Sequence, residues 1–234
     1  MKIAIIPARG GSKRIPRKNI KLFAGKPMLE YAIMVAKKSN LFDAVVVSSD
    51  DQEILNLATQ LNVTPLLRPL ELANDTTPTV PVIAHAIKMG MDNWNWQPSA
   101  VCCIYPAVPF LQSEALVEGF TLLEQVSADY VFPLVMFPTV IQRALRLAKD
   151  GKVSAFSEEY YRYQDKCTQD IEPAYHDAGQ FYWGKPAAWL EGKNIHLNSF
   201  AFTIPYWRVV DIDTPDDWVR AELIQQSLMV KEIL

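Results

Sequence analysis

Short apolar runs alternate with stretches of helical spacing through the first 135 residues of the chain. Residues 2–6 read as a buried strand, and residues 27–38, opened by Pro27, read as a helix. Residues 43–48 repeat the strand. Ser49-Asp50-Asp51-Gln52-Glu53 then offers cap oxygens and first-turn acids to a helix ending near Gln60, with Asp50 as a plain helix cap. Strands over 63–67, 100–105 and 129–135 and helices over 80–89 and 113–125 continue the alternation. Near-continuous apolar strands separated by helices predict an α/β fold with a doubly wound, mostly parallel sheet of Rossmann-like type. Right-handed crossovers place the loops after the first, second and fourth strands at one edge of that sheet, where a ligand is expected.

The rhythm breaks after Val135. Residues 137–176 mix aromatic, basic and polar side chains, with a hairpin turn at Lys149-Asp150-Gly151-Lys152 and the run Tyr160-Tyr161-Arg162-Tyr163. Such a stretch is too polar for a second core, so residues 1–234 are expected to form a single domain with 137–176 as an inserted dimerisation arm. The sheet pattern resumes at 179–183, followed by a helix over 186–190, an edge strand near 199–203 and a last strand over 208–213. Thr214-Pro215-Asp216-Asp217 caps a closing amphipathic helix.

Charge changes this picture at one place. The formal net charge is −3, yet residues 1–29 carry eight of the 23 Lys and Arg and no acid. The rest of the chain therefore stands near −11. Five of these cations (Arg9, Lys13, Arg14, Arg17 and Lys18) sit in the loop after the first strand, beside Gly10 and Gly11. Glycines at this position let backbone N–H groups approach a phosphate, and Arg9 can grip it with a two-pronged fork. Concentrated positive charge on an acidic body points to a small anionic ligand rather than nucleic acid, although a solvated charge run has the same composition. The loop has neither the Gly-Lys-Ser/Thr of a Walker A motif nor a G-x-G-x-x-G fingerprint. Three cysteines without a C-x-x-C pair, no secretory leader pattern and no apolar span long enough for a bilayer imply a reduced, cytoplasmic protein that does not enter a membrane.

A strand followed by Pro7-Ala-Arg-Gly-Gly-Ser-Lys-Arg-Ile-Pro16-x-Lys18-Asn19 resembles the signature of the CMP-sugar synthetases, the acylneuraminate cytidylyltransferases. Val47-Ser-Ser-Asp50, Arg68-Pro-x-Glu71-Leu-Ala-x-Asp75-Thr76 and Asp211-Ile-Asp213 fall where that family has its motifs. The resemblance implies the fold of the nucleotide-diphospho-sugar transferases. It also implies that Arg9 and Lys18 hold the triphosphate of CTP, with Ala8, Gly10, Gly11 and Ser12 completing the cradle. Asn19 would face the ribose or phosphates, Arg68 and Thr79 would lie near the cytidine, and Asp211 and Asp213 would bind Mg²⁺, or Mn²⁺ in its place. Two carboxylates at i and i+2 on a strand end share one side, and oxygen ligands suit Mg²⁺. Read alone, the pair also fits capping of the final helix, and Arg68 also fits a surface ion pair with Glu71.

Departures from the sialic acid members concern the acceptor. A Gln typical of those enzymes is replaced by Tyr105 in Ile104-Tyr-Pro-Ala-Val-Pro109, and their Arg-Pro-Asn-Gly gives way to His176-Asp-Ala-Gly-Gln-Phe-Tyr-Trp183. Both features resemble the branch that activates pseudaminic acid, which would also carry a hydroxyl residue where Ala107 stands. The resemblance therefore implies transfer of CMP from CTP to a nine-carbon (nonulosonic) acid sugar. Sialic and legionaminic acids are alternative acceptors, and a glycosyltransferase or nucleotide sensor is a distant alternative. Tyr105, His176, Asp177 and Gln180 are the candidate acceptor contacts. Arg162, Gln164 and Asp165 would reach from the arm toward the sugar pocket of a neighbouring subunit in a homodimer.

Overall fold

The computed structural model describes residues 1–233, with side chains described as far as Leu228. It opens with β1 (Lys2–Pro7), the short antiparallel pair β2 (Leu22–Phe23) and β3 (Lys26–Pro27), and α1 (Met28–Lys38). β4 (Ala44–Ser49), α2 (Gln52–Gln60), β5 (Thr64–Leu67), α3 (Thr79–Trp94), β6 (Ala100–Ile104), α4 (Ser113–Gln125) and β7 (Tyr130–Met136) follow. The arm contains the hairpin β8 (Leu145–Leu147) and β9 (Val153–Ala155) and the single-turn α5 (Glu159–Tyr163). The chain then forms β10 (Tyr175–Asp177), β11 (Phe181–Gly184), α6 (Pro186–Leu190), β12 (Ser199–Thr203) and α7 (Pro215–Ile233).

Eight strands make one sheet. β6, β1, β4 and β5 run side by side in parallel, as the βα alternation predicts. β7 does not join them directly. β11 lies between β6 and β7, antiparallel to both, while β12 pairs with β7 in parallel on its other side. β10 and β11 share one flank of β7 end to end: β10 pairs with residues 134–136 and β11 with residues 130–131. The strand expected at 179–183 is thus the second half of an interrupted strand, which begins inside the stretch assigned to the arm.

Buried side chains on both faces explain the apolar runs. Ile3 and Ile5 pack toward Val46, Val101, Ile83 and Trp189 on one face, and Ala4 and Ile6 toward Leu29, Ile33 and Ile54 on the other. Burying such side chains is worth roughly 1.5–3 kcal/mol each by transfer free energy. Cys102 and Cys103 are both fully buried in β6, one toward each face. The tryptophans at 94 and 96 close the end of α3. Asn95 ends that helix in a left-handed conformation, and Trp96 folds back over Gly90, where an added Cβ would collide with its ring.

One expected strand is absent. Residues 208–213 form no ladder; a 3-10 turn at Tyr206–Arg208 follows Pro205, and the segment then crosses the end of the sheet. Its apolar side chains are buried all the same. Val209 packs with Val135 and Ala178, whereas Val210 and Ile212 pack with Phe23, Phe110 and Trp218. Two of its carbonyls accept side-chain donors in place of a strand: Gln180 Nε2 donates to Arg208 O at 2.8 Å and Lys18 Nζ to Ile212 O at 2.6 Å. Val209, Val210 and Ile212 are buried by packing against loops and α7, and an apolar run cannot by itself distinguish such packing from a sheet partner.

Candidate functional site

Residues of the loops after β1, β5 and β6, joined by Asp213, line a cavity of about 600 Å³; the loop after β4, also expected at this edge, contributes none of the lining. Arg9, Ser12, Lys18, Asn19, Arg68, Thr79, Tyr105 and Asp213 all line it, together with Lys13, Arg14, Asn74 and Asp75. This is the edge that the crossover rule indicates, and the structure brings residues from four separate motifs to it.

The β1 loop is tied down by its own backbone and by acids from neighbouring loops. Ala8 N–H donates to Ser48 O at 2.9 Å, and the buried Asn19 sends its Nδ2 to Arg9 O, also at 2.9 Å. Gly10 N–H donates to Asp50 Oδ1 at 3.1 Å. Arg17, held at φ 57°, forms ion pairs with Asp51 and Glu53. Asp51, rather than Asp50, caps α2 by accepting the N–H groups of Glu53 and Ile54. The assignment of Asp50 as the cap is therefore corrected: Asp50 makes no cap bond and instead accepts the Gly10 N–H of the loop after β1.

Opposite charges sort the cations onto two walls. Arg9 and Lys13 both pair with Asp75, whose carboxyl they hold below the usual range, Lys13 more strongly than Arg9. Across the cavity, Arg14 Nη2 lies 2.7 Å and Lys18 Nζ 3.3 Å from Asp213. Arg68 is not a surface residue paired with Glu71. Only 5 % of it is exposed, Asp50 stands 3.7 Å away, and its Nε and Nη2 are buried without a hydrogen-bond partner. Burial lowers its pKa from the ordinary arginine value; the Asp50 carboxylate opposes that shift and Arg9 adds to it.

Thr79 Oγ1 and the Tyr105 hydroxyl share a hydrogen bond of 2.7 Å, and burial pushes the Tyr105 hydroxyl up to about 12. The Tyr105 ring meets that of Tyr182 edge to face at 5.6 Å. Behind this pair Asp177 is fully engaged: Tyr182 OH and His196 Nε2 each reach its Oδ2 at 2.9 Å, and Gly179 N–H reaches Oδ1 at 2.8 Å. Gly179 itself has φ 61°, which suits the glycine that breaks β10 from β11. Gln180 is buried with its Nε2 on Arg208 O, and His176 Nδ1 rests on its neighbour's carbonyl. His196 had no motif to mark it, and Tyr182 stands within the His176–Trp183 motif without being singled out there; they meet at Asp177 because β11 and the loop after α6 come together in the fold. Arg162, Gln164 and Asp165 stand on the arm and do not line the cavity.

Asp213 lines the cavity and Asp211 does not. They sit on the extended crossing segment, not on a strand end, so the expected strand geometry for the pair is corrected. Desolvation, with the Asp213 charge second, raises the Asp211 carboxyl above its ordinary value. Among the described residues no group of three or more His, Cys, Asp or Glu forms a metal cluster. Mg²⁺ commonly takes one or two carboxylates and completes its shell with phosphates and water; of the expected pair, Asp213 faces the cavity, where Arg14 and Lys18 hold it. The final helix is capped elsewhere: Asp217 accepts from Thr214 N–H and Oγ1, each at 2.7 Å.

Residues 3–186 match the family model described as cytidylyltransferase. The chain belongs to the cytidylyltransferase family. Membership makes it a nucleotidyltransferase and accounts for a basic cavity at the carboxyl ends of parallel strands. The pseudaminic acid cytidylyltransferase of Campylobacter jejuni is 39 % identical over 224 residues, which cover 95 % of each chain. The CMP-N,N'-diacetyllegionaminic acid synthase of Legionella pneumophila is 28 % identical over 96 % of each. Among solved structures, a CMP:2-keto-3-deoxy-manno-octonic acid synthetase complexed with CTP superposes with a TM-score of 0.72 at 14 % identity, covering 96 % of this chain and 99 % of that one. That likeness establishes the fold, a mixed, mostly parallel nucleotidyltransferase sheet.

Proposed function

We propose that this enzyme transfers the cytidylyl group of CTP to pseudaminic acid, giving CMP-pseudaminic acid and pyrophosphate. The observation that carries the reading is the 39 % identity with a pseudaminic acid cytidylyltransferase over nearly the whole of both chains. The cavity supports it, since Arg9, Lys13, Arg14, Lys18 and Arg68 all line it. Arg9 and Lys18 bind the triphosphate and offset charge on the leaving pyrophosphate. Ala8, Gly10, Gly11 and Ser12 supply the close backbone. Asn19 fixes the loop through Arg9 O, and its unpartnered Oδ1, an acceptor, is left for a ribose hydroxyl rather than a phosphate oxygen. Arg68 and Thr79 face the nucleoside.

The anomeric hydroxyl oxygen of the sugar forms a bond to the α-phosphorus as the bond from that phosphorus to the β-phosphate bridging oxygen breaks. Pyrophosphate leaves with the electron pair, and the hydroxyl proton passes to solvent. The chain's own part is positioning and charge neutralisation. Asp211 and Asp213 would hold Mg²⁺, or Mn²⁺, which supplies Lewis-acid polarisation of phosphate oxygens when bound. Tyr105, His176, Asp177 and Gln180 shape the acceptor side.

The arm supports a homodimer. A two-stranded hairpin is marginal alone, and β8 and β9 expose Leu145, Leu147 and Val153. A second subunit would cover them and bring Arg162, Gln164 and Asp165 to its sugar pocket; light scattering that returns a fully active monomer removes this part. No helix among the described residues is long and apolar enough to cross a membrane; the proposed substrates are small molecules, and the reading is of a cytoplasmic enzyme.

The test is pyrophosphate release from CTP and Mg²⁺ with pseudaminic, legionaminic and sialic acids offered in turn. Turnover with pseudaminic acid at least ~10-fold above the others in kcat/KM is expected, since a few pocket hydrogen bonds discriminate such stereoisomers. Preference for either of the others overturns the acceptor assignment while leaving CTP chemistry in place.

A further inference from the structure

Asp50 has no part in capping α2, and its surroundings give it a different role. Its Oδ1 accepts the N–H of Gly10 at 3.1 Å, and the same oxygen lies 3.7 Å from Nη2 of Arg68. One carboxylate oxygen therefore stands between the first glycine of the loop after β1 and the buried arginine that follows β5. β1, β4 and β5 are neighbours in the sheet, with the strand leading to Asp50 in the middle. The backbone is held close at this point: a Cβ on Gly10 would collide with the Asp51 side chain. Arg68, for its part, carries a charge in a desolvated place with two donor nitrogens unpartnered. A buried charge without a counter-charge is strongly unfavourable, and Asp50 is the acid within ion-pair distance among the described residues.

We propose that Asp50 is a positioning residue that sets the phosphate loop and Arg68 relative to each other, so that CTP meets both at one spacing. This rests on the reading of the cavity as the CTP site. The two contacts can be separated chemically. Asp50→Asn keeps an oxygen acceptor for Gly10 but removes the charge facing Arg68, while Asp50→Ala removes both.

The experiment measures CTP dissociation constants by titration calorimetry, and kcat by pyrophosphate release, for the wild type, D50N, D50A, R68A and the double variant D50N/R68A. Thermal unfolding of each variant runs alongside. The expected losses in CTP affinity are ~5-fold for D50N and ~30-fold for D50A, with a further fall in kcat for D50A as the loop loses its register. In the R68A background the D50N change should shrink to under ~2-fold, because the partner of the charge is gone. A merely structural role would lower the unfolding temperature without this dependence on Arg68. If D50A fails to fold, D50N and the double variant still decide the matter. Wild-type protein that does not bind CTP ends the underlying reading. Wild type that binds CTP, with D50N inside ~2-fold of it or with D50N and R68A losses simply adding, overturns Asp50 alone.

Discussion

Two regions of the molecule are built on different principles: the basic loop after β1, which lines the cavity, and the Asp177 cluster behind Tyr105, which does not. In the loop after β1, Arg9, Lys13, Arg14, Arg17 and Lys18 fall within ten consecutive residues and are sorted by Asp75, Asp213, Asp51 and Glu53. Behind Tyr105, Asp177 takes hydrogen bonds from Tyr182 and His196, which come from different elements and carry no run of charge. Ion pairing is effective over several ångströms and tolerates variation in geometry, so one loop can supply it. Hydrogen bonds need donor and acceptor near 2.9 Å and in line, so they depend on how distant segments meet. A triphosphate suits the first arrangement, and a sugar distinguished by stereochemistry suits the second.

The sharpest way to break this comparison is to remove one cation from the loop. Arg9→Ala or Lys18→Ala should lower kcat/KM for CTP by ~100-fold or more, because a charge-assisted contact to a phosphate strengthens as pyrophosphate leaves. The KM for the acceptor should stay within ~2-fold of wild type. An equal rise in both constants would mean that the two sides act as one unit.

A smaller effect is expected on the other side. Asp177→Ala leaves the Tyr182 hydroxyl buried without its acceptor and frees the Gly179 turn, so the acceptor KM should rise ~10-fold while CTP affinity stays unchanged. Titration calorimetry with CTP alone checks the second half of that statement. Weakened CTP binding in this variant would show that the interrupted strand also sets the nucleotide side.

The smallest effect concerns stability and pH. The hydrogen bond from Arg17 holds the Asp51 carboxyl below its ordinary value of 3.8, the cap bonds from Ile54 and Glu53 acting in the same sense. A depressed folded-state pKa gives stabilisation that is present above the unfolded-state value and disappears as pH falls through the folded one. Urea unfolding should therefore show wild type more stable than Asp51→Asn near neutrality, with the gap narrowing on acidification below about pH 4. A gap that widens under acid would contradict the ion pair as its source.

How legible each part is in the sequence follows the range of the interactions. β1, β4, β6 and their helices can be read because burial on both faces demands apolar runs, and the position of the cavity then follows from crossover handedness. The segment 208–213 reads falsely as a strand since its apolar residues are buried against loops and α7 rather than in a ladder. The cap passes from Asp50, as read in the sequence, to Asp51 in the structure because either can cap α2, while Asp50 meets Gly10 and Arg68 instead. Nothing local explains Trp96, whose packing depends on Gly90 beneath its ring.

By itself the sequence determined the alternating core, the concentration of positive charge after the first strand and, through the phosphate-loop motif, the class of nucleotide chemistry. These properties are carried by neighbours in the chain. Tertiary structure alone decided that β11 runs backward between β6 and β7, that Asp177 meets His196 and Tyr182, and that Arg68 is buried against Asp50. Each of these depends on contacts between separate elements of the fold, and no local periodicity encodes which donor will find which acceptor.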